Sequence, residues 1–328
     1  MSLQKKLTVA FLGLIVFAFL MPVESPAPLV WTKGEGWNWV HEGETTATNP
    51  ADQLKLGQNL VAKKKYRRAI GAFRRVIAKW PLSSSTQEAR MGLAECYGAI
   101  GYHYKSFQTY QELIKKHPNT PHFDEVLQRQ FEIGNLFLAG ERQKAWGVRW
   151  FPSLERTVEV YEQVVKNGPY SAVATEAQFR IGVAYDKERD YLAAVHAYEK
   201  LLERYPKHPL AEAAQFQIGL EYKKEAQRAE YDQNAANQAI AAFADFVFRY
   251  PQSDKVPQAE QYRAALKIEQ AGGTFHIGEF YEKNHYYKSA LIYYNDVIEK
   301  NPESAWATQA KEKVARLTPL VAEKTATP

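Results

Sequence analysis

Six prolines divide this chain into units of one design. Pro81, Pro118, Pro169, Pro206, Pro251 and Pro302 each follow a run with the same layout. Twelve residues before each stands a short side chain: Ala69, Ser106, Thr157, Ala194, Ala239 and Ala290. Eight before stands a ring: Phe73, Tyr110, Tyr161, Tyr198, Phe243 and Tyr294. Further upstream come Gly57, Ala94, Gly134, Gly182, Gly219 and Gly278, and three residues on from these Leu60, Tyr97, Phe137, Tyr185, Tyr222 and Tyr281. The stretch 175–206, TEAQFRIGVAYDKERDYLAAVHAYEKLLERYP, shows one unit whole: two amphipathic helices, a tight turn, and a proline that stops the second helix. Small residues let two helices come close, and the ring fills the gap beside them. Agreement at these positions over six units is far above chance and dictates a series of antiparallel helix pairs.

A period near 34 residues with this pattern resembles the tetratricopeptide repeat. The resemblance implies an all-α solenoid of about six hairpins in a right-handed superhelix. The units are not uniform. Gly134 to Pro169 and Gly219 to Pro251 are longer than the rest, which places insertions around Ala145–Glu155 and Ala229–Asn237. Gly272-Gly273 reads as a kink or break in a lengthened first helix of the sixth pair. Residues 304–317 read as a capping helix, so the repeat domain spans 50–317 and a disordered tail covers 318–328.

The N-terminal segment has another character. Lys5-Lys6 precede Leu7–Met21, a run without a charge that is short for a membrane span and suits the apolar core of a signal peptide. Residues 1–23 are therefore expected to direct export, either cleaved or kept as a membrane anchor. Residues 24–49, with Trp31, Trp37 and Trp39 and no helical period, read as an extended arm. The one cysteine, Cys96, excludes a disulfide framework and a cysteine-based zinc site. Beyond residue 23 the balance is 40 basic to 37 acidic side chains, which does not argue for a nucleic-acid partner.

No sequence signature of a catalytic site, metal site or cofactor-binding loop is present, so no enzyme activity and no cofactor are expected. His117 and His122 sit in a proline-rich turn and read as solvated; Glu279, Glu282 and His285 read as helix-surface charge. Three residues before each small position, Leu54, Met91, Phe131, Phe179, Phe216 and Phe275 form an apolar ladder. One reading is a concave groove that takes apolar segments of an extended peptide, and the other is packing between neighbouring pairs. Trp146, Trp150 and Phe151 place three rings in the first insertion, as a folded-back loop or a docking point. Lys63, Lys64, Lys65, Arg67, Arg68, Arg74, Arg75 and Lys79 form a basic cluster, read as a solvated face or a contact for anionic lipid.

The irregularities extend the resemblance. FPSLERTVEVYEQVVKNGPYSAVATEAQFRIG (151–182), the EYDQNA insertion and FHIGEFYEKNHYYKSALIYYNDVIEKNPES (275–304) together resemble the BamD family, a tetratricopeptide component of the machine that assembles β-barrels in bacterial outer membranes. That implies a periplasmic, non-enzymatic scaffold associated with the outer membrane. Its implied partners are a BamA-type barrel protein, other assembly-machine subunits and unfolded outer-membrane proteins. The C-terminal pairs, around Phe280, Tyr281, Tyr286 and Tyr287, are the implied docking region. The family's acylated cysteine has no counterpart before Cys96, so attachment is expected through the N-terminal segment or a partner. The alternative is a general envelope tetratricopeptide adaptor for cell-wall or secretion complexes.

Overall fold

The computed structural model describes residues 29–32, 36–39, 47–140, 144–145, 148–149, 154–228 and 233–326. Thirteen helices lie among the described residues, in two compact units, 1–120 and 121–328. The first unit holds α1 (Pro50–Ala62), α2 (Tyr66–Lys79), α3 (Ser85–Ala99) and α4 (His103–Lys116). Asn49 caps α1 by accepting the Asp52 amide, and Pro50 takes the first helical position, where its missing N–H costs nothing. Each helix packs on the next, and α1 also reaches α3.

The second unit holds α5 (Phe123–Leu138), α6 (Leu154–Asn167), α7 (Ala174–Glu188), α8 (Tyr191–Arg204), α9 (Leu210–Arg228), α10 (Gln233–Arg249), α11 (Val256–Lys283), α12 (Tyr287–Lys300) and α13 (Ala305–Ala326). Here too consecutive helices pack in chain order, with further contacts of α7 with α9 and α11 with α13. The second helix of every pair stops two residues before its proline, because the residue before a proline is pushed out of helical geometry. Each unit is thus a short tetratricopeptide-type α-solenoid.

Helix approach within a pair rests on one contact. A Cβ placed on Gly57 would lie 2.5 Å from the Phe73 ring, and one on Gly182 2.5 Å from Tyr198. Gly134 stands likewise under Tyr161, Gly219 under Phe243 and Gly278 under Tyr294. Gly92 of the following pair closes on Phe73 as well, again at 2.5 Å, so one ring ties two pairs. A glutamine four residues before the glycine adds a polar tie that the repeat pattern above did not include. Gln53 Nε2 donates to the Ala72 carbonyl at 3.3 Å and Gln178 Nε2 to the Ala197 carbonyl at 2.9 Å. Gln130 and Gln215 occupy the same place and are buried.

Two expectations are corrected. Gly272-Gly273 does not break a helix: α11 is continuous over 28 residues. Gly272 instead gives room to Trp306, whose ring lies 3.0 Å from where its Cβ would be. The cap does not end at Leu317 in a disordered tail, since α13 runs through Pro319 to Ala326. Leu317 is buried, and Val321 lines the same hollow as Tyr286. The second insertion is largely absorbed by helix, as α9 extends to Arg228 and α10 begins at Gln233.

The arm contains a two-stranded antiparallel ribbon, β1 (Leu29–Thr32) with β2 (Gly36–Trp39), in which Trp31 pairs with Trp37. A smaller ribbon, β3 (Lys144–Ala145) with β4 (Val148–Arg149), lies in the first insertion.

Candidate docking surfaces

The apolar ladder is interior. Met91, Phe131, Phe216 and Phe275 are buried, and of the four rings and one thioether proposed for a groove only Phe179 is half-exposed. The reason is the repeat contact itself: each ring seats on the second-helix ring of its own pair. Phe131 lies 5.8 Å from Tyr161, Phe179 5.2 Å from Tyr198, Phe216 5.8 Å from Phe243 and Phe275 5.1 Å from Tyr294. Of the two readings, packing accounts for these positions.

A cleft of about 810 Å³ opens elsewhere, between α6 and α8. Gln178, Ile181 and Tyr185 of α7 floor it, while Glu162 and Lys166 on one side and His196, Lys200 and Arg204 on the other form its rim. It is bordered by second helices, not by the first helices on which a groove was expected.

The α11–α12 turn gathers the aromatic residues expected there. Phe280 is 63% and Tyr286 64% exposed, large values for apolar rings on a folded surface. Tyr281, half-buried, joins them: its ring stacks on Tyr293 at 5.3 Å and lies edge-on to Phe280 at 5.6 Å and to Tyr286 at 6.4 Å. Tyr287 is half-buried, and its hydroxyl contacts His285 Nδ1 at 2.9 Å. His285, in the left-handed region at φ 61°, makes the tight turn that presents the cluster. A hollow of about 230 Å³ beside it is lined by Tyr286, Tyr287 and Val321 among others. Trp146, Trp150 and Phe151 lie outside the described residues.

Charged groups stitch neighbouring pairs together. Lys224 Nζ on α9 donates to Asp186 Oδ1 on α7 at 2.5 Å and to both oxygens of the wholly buried Glu221 at 3.0 and 3.1 Å. Burial pushes the Glu221 carboxyl up to about 7, outweighing the hydrogen bonds and charge of Lys224, which act to lower it. Glu282 shows the opposite balance. Burial acts to raise it, but the Tyr294 hydroxyl at 2.7 Å, Lys313 at 3.1 Å and Arg316 together hold it below the ordinary carboxylate value. What reads in sequence as surface charge therefore fastens α13 to α11. Neither network was visible in the repeat pattern, because the partners lie 38 and 31 residues apart.

The Cys96 thiol is buried and pushed up to about 12, mainly by that burial, so it is an unreactive packing group. His122 lies 3.5 Å from Glu125. Among the described residues no group of three or more His, Cys, Asp and Glu side chains could hold a metal, and no helix is long and apolar enough to cross a membrane.

No curated protein sequence matches the chain. Among solved structures, the MamA protein is 17% identical over 63% of this chain and 94% of its own, with a TM-score of 0.34. A tetratricopeptide repeat protein from Parabacteroides merdae is 12% identical over 82% of this chain and 98% of its own, with a TM-score of 0.33. The C-terminal part of a TPR repeat-containing protein from Cytophaga hutchinsonii is 14% identical over 80% of this chain and 87% of its own, with a TM-score of 0.36. A tetratricopeptide repeat profile matches residues 54–121. A second profile, YfiO, described as an outer membrane lipoprotein, matches residues 152–318. That match takes in just over half of the chain, from the start of the third pair's second helix to the cap that Glu282 fastens, and the chain belongs to the YfiO family of outer membrane lipoproteins.

Proposed function

We propose that this protein is a non-enzymatic scaffold of the cell envelope, working in the periplasm at the outer membrane in the manner of BamD. It holds a BamA-type barrel protein and other subunits of an assembly machine, and receives segments of unfolded outer-membrane proteins. The observation that supports this most is the coincidence of the family match over 152–318 with the exposed Phe280 and Tyr286 at the α11–α12 turn. Exposed rings backed by a stacked partner are the usual anchors of a protein interface. Trp146, Trp150 and Phe151 supply a second docking point in this reading. Unfolded segments lie in the α6–α8 cleft, because the buried ladder leaves little surface for them.

Affinity capture with the full chain from detergent-solubilised membranes tests the reading. A barrel protein with periplasmic POTRA domains is recovered, and a Phe280→Ala/Tyr286→Ala double variant loses at least about tenfold of it with an unchanged melting temperature. Recovery of cell-wall or secretion proteins with no barrel protein favours the general adaptor instead. Undiminished capture by the double variant removes the α11–α12 turn from the interface.

A further inference from the structure

Charge is unevenly distributed along this chain. Between residues 47 and 120 stand 13 Lys and Arg against 4 Asp and Glu, whereas residues 121–328 carry 26 against 29. The excess concentrates on the α1–α2 turn and on α2. Helix α2 buries Ala69, Ala72, Phe73 and Val76, which leaves the opposite arc to solvent. That arc carries Arg67 and Arg74, Lys79 stands at the helix end, and the turn before the helix carries Lys63, Lys64 and Lys65, all six exposed. Arg74 is braced by the Tyr97 hydroxyl at 2.6 Å, and Lys79 lies over the Trp80 ring at 5.1 Å. Among the described residues no carboxylate is paired with Lys63, Lys64, Lys65 or Arg67. Beside them a hollow of about 490 Å³ runs between the turns of the first and second pairs, reaching Ile100.

This arrangement works against the helix it sits on. The N-terminal end of a helix carries partial positive charge, so cations there are unfavourable. Helix α2 nonetheless opens on KKKYRR with no acidic residue in its first turn and no side-chain cap from Lys65. Lys64 adopts φ 56°, a left-handed conformation that a lysine tolerates poorly. A run that sacrifices local stability in this way is expected where charge density itself is needed.

We infer that the α1–α2 turn and the outer arc of α2 dock on a bilayer surface bearing anionic phospholipid headgroups. Clustered, exposed lysine and arginine side chains suit a plane of mobile phosphates, each contributing about 1 kcal/mol near such a surface. A bilayer is favoured over a polynucleotide because the two rings beside the arc, Tyr66 and Trp80, are half-buried and Lys79 lies over Trp80, which leaves little open face for a base to stack on. Position along the chain argues the same way. Only residues 22–49 separate the apolar run Leu7–Met21 from α1. At about 3.3 Å per residue that stretch spans at most roughly 90 Å, so a chain held at the membrane keeps this arc close to the headgroups. The inference stands independently of any barrel-protein partner.

The test uses the full chain with vesicles of phosphatidylcholine alone or with about 30% phosphatidylglycerol, at about 0.1 M and about 0.5 M salt. Vesicle flotation should show roughly tenfold or greater preference for the anionic vesicles at low salt, lost at high salt. The Lys63→Glu/Lys64→Glu/Lys65→Glu/Arg67→Glu variant, with its fold checked by circular dichroism, should lose that preference. It should keep whatever binding to neutral vesicles the apolar run provides. The milder variant with glutamine at the same four positions should fall between. Equal binding to both vesicle types, or a charge-reversed variant that keeps the preference, overturns the inference. So does a single-stranded oligonucleotide that displaces the chain from anionic vesicles by binding it more tightly.

Discussion

At Gly182 a methyl group would meet Cε1 of Tyr198 at 2.5 Å, and at Gly71 it would meet nothing within 4 Å. Both are helix-interior glycines, and only the first is required by its surroundings. The repeat pattern shows which is which, because a glycine stands at the place of Gly182 in four other pairs and at the place of Gly71 in none. Glu221 is a different matter. Its carboxyl titrates near 7 in the folded protein and at its ordinary 4.5 in an unfolded chain, so the folded state binds the proton more tightly. Its contribution to stability is therefore most favourable below about pH 4.5 and is lost as pH rises through about 7. Glu221→Gln keeps an acceptor for Lys224 without a buried charge. Relative to the parent protein, this variant should gain stability across that window, by up to about 3 kcal/mol, as followed by urea unfolding at a series of pH values. A difference independent of pH would show that Lys224 and Asp186 already compensate the buried charge.

At the scale of the element, the cap is the informative case. Trp306 of α13 lies 5.3 Å from the Phe275 ring and above Gly272, and Arg316 and Lys313 reach Glu282. Trp306→Ala should cost about 2 kcal/mol. Gly272→Ala should destabilise while Trp306 is present, by overpacking, and stabilise by about 0.5–1 kcal/mol once Trp306 is alanine, where only helix propensity remains. The two changes are thus expected to be non-additive in a thermal or denaturant double-mutant cycle. The same contact explains why the sequence misleads here. Two adjacent glycines look like a break when read locally, and their partner lies 34 residues further on. The end set at residue 317 fails as well: Thr318 Oγ1 donates to the Val314 carbonyl at 2.7 Å and the helix continues through Pro319. The ends of the second helices were legible to within two residues, because a proline ends a helix through backbone sterics alone.

For the whole molecule, periodicity identifies which side chains share a face, not what covers that face. The ladder from Met91 to Phe275 recurs at one place in each first helix, and its rings from Phe131 onward lie against rings of the same pair. Phe280 and Tyr286, which the family resemblance singled out, lie at a turn and are exposed. The uneven charge has a measurable consequence at this scale. With 13 cations to 4 anions, residues 47–120 repel themselves. Raising salt from about 0.05 to about 0.3 M should therefore raise the melting temperature of the chain, by an amount that shrinks in the charge-reversed variant. A melting temperature that falls with salt in both proteins would show that ion pairing dominates over repulsion.

The packing of α13 bears on what two copies can do to each other. A series of like pairs that ended on a bare pair would offer the next molecule a ready seat, and such head-to-tail contacts propagate into filaments. Trp306 and Leu317 already fill that seat on α11 and α12. At this end α13 takes up, on α11 and α12, the place where the first helix of another copy would sit.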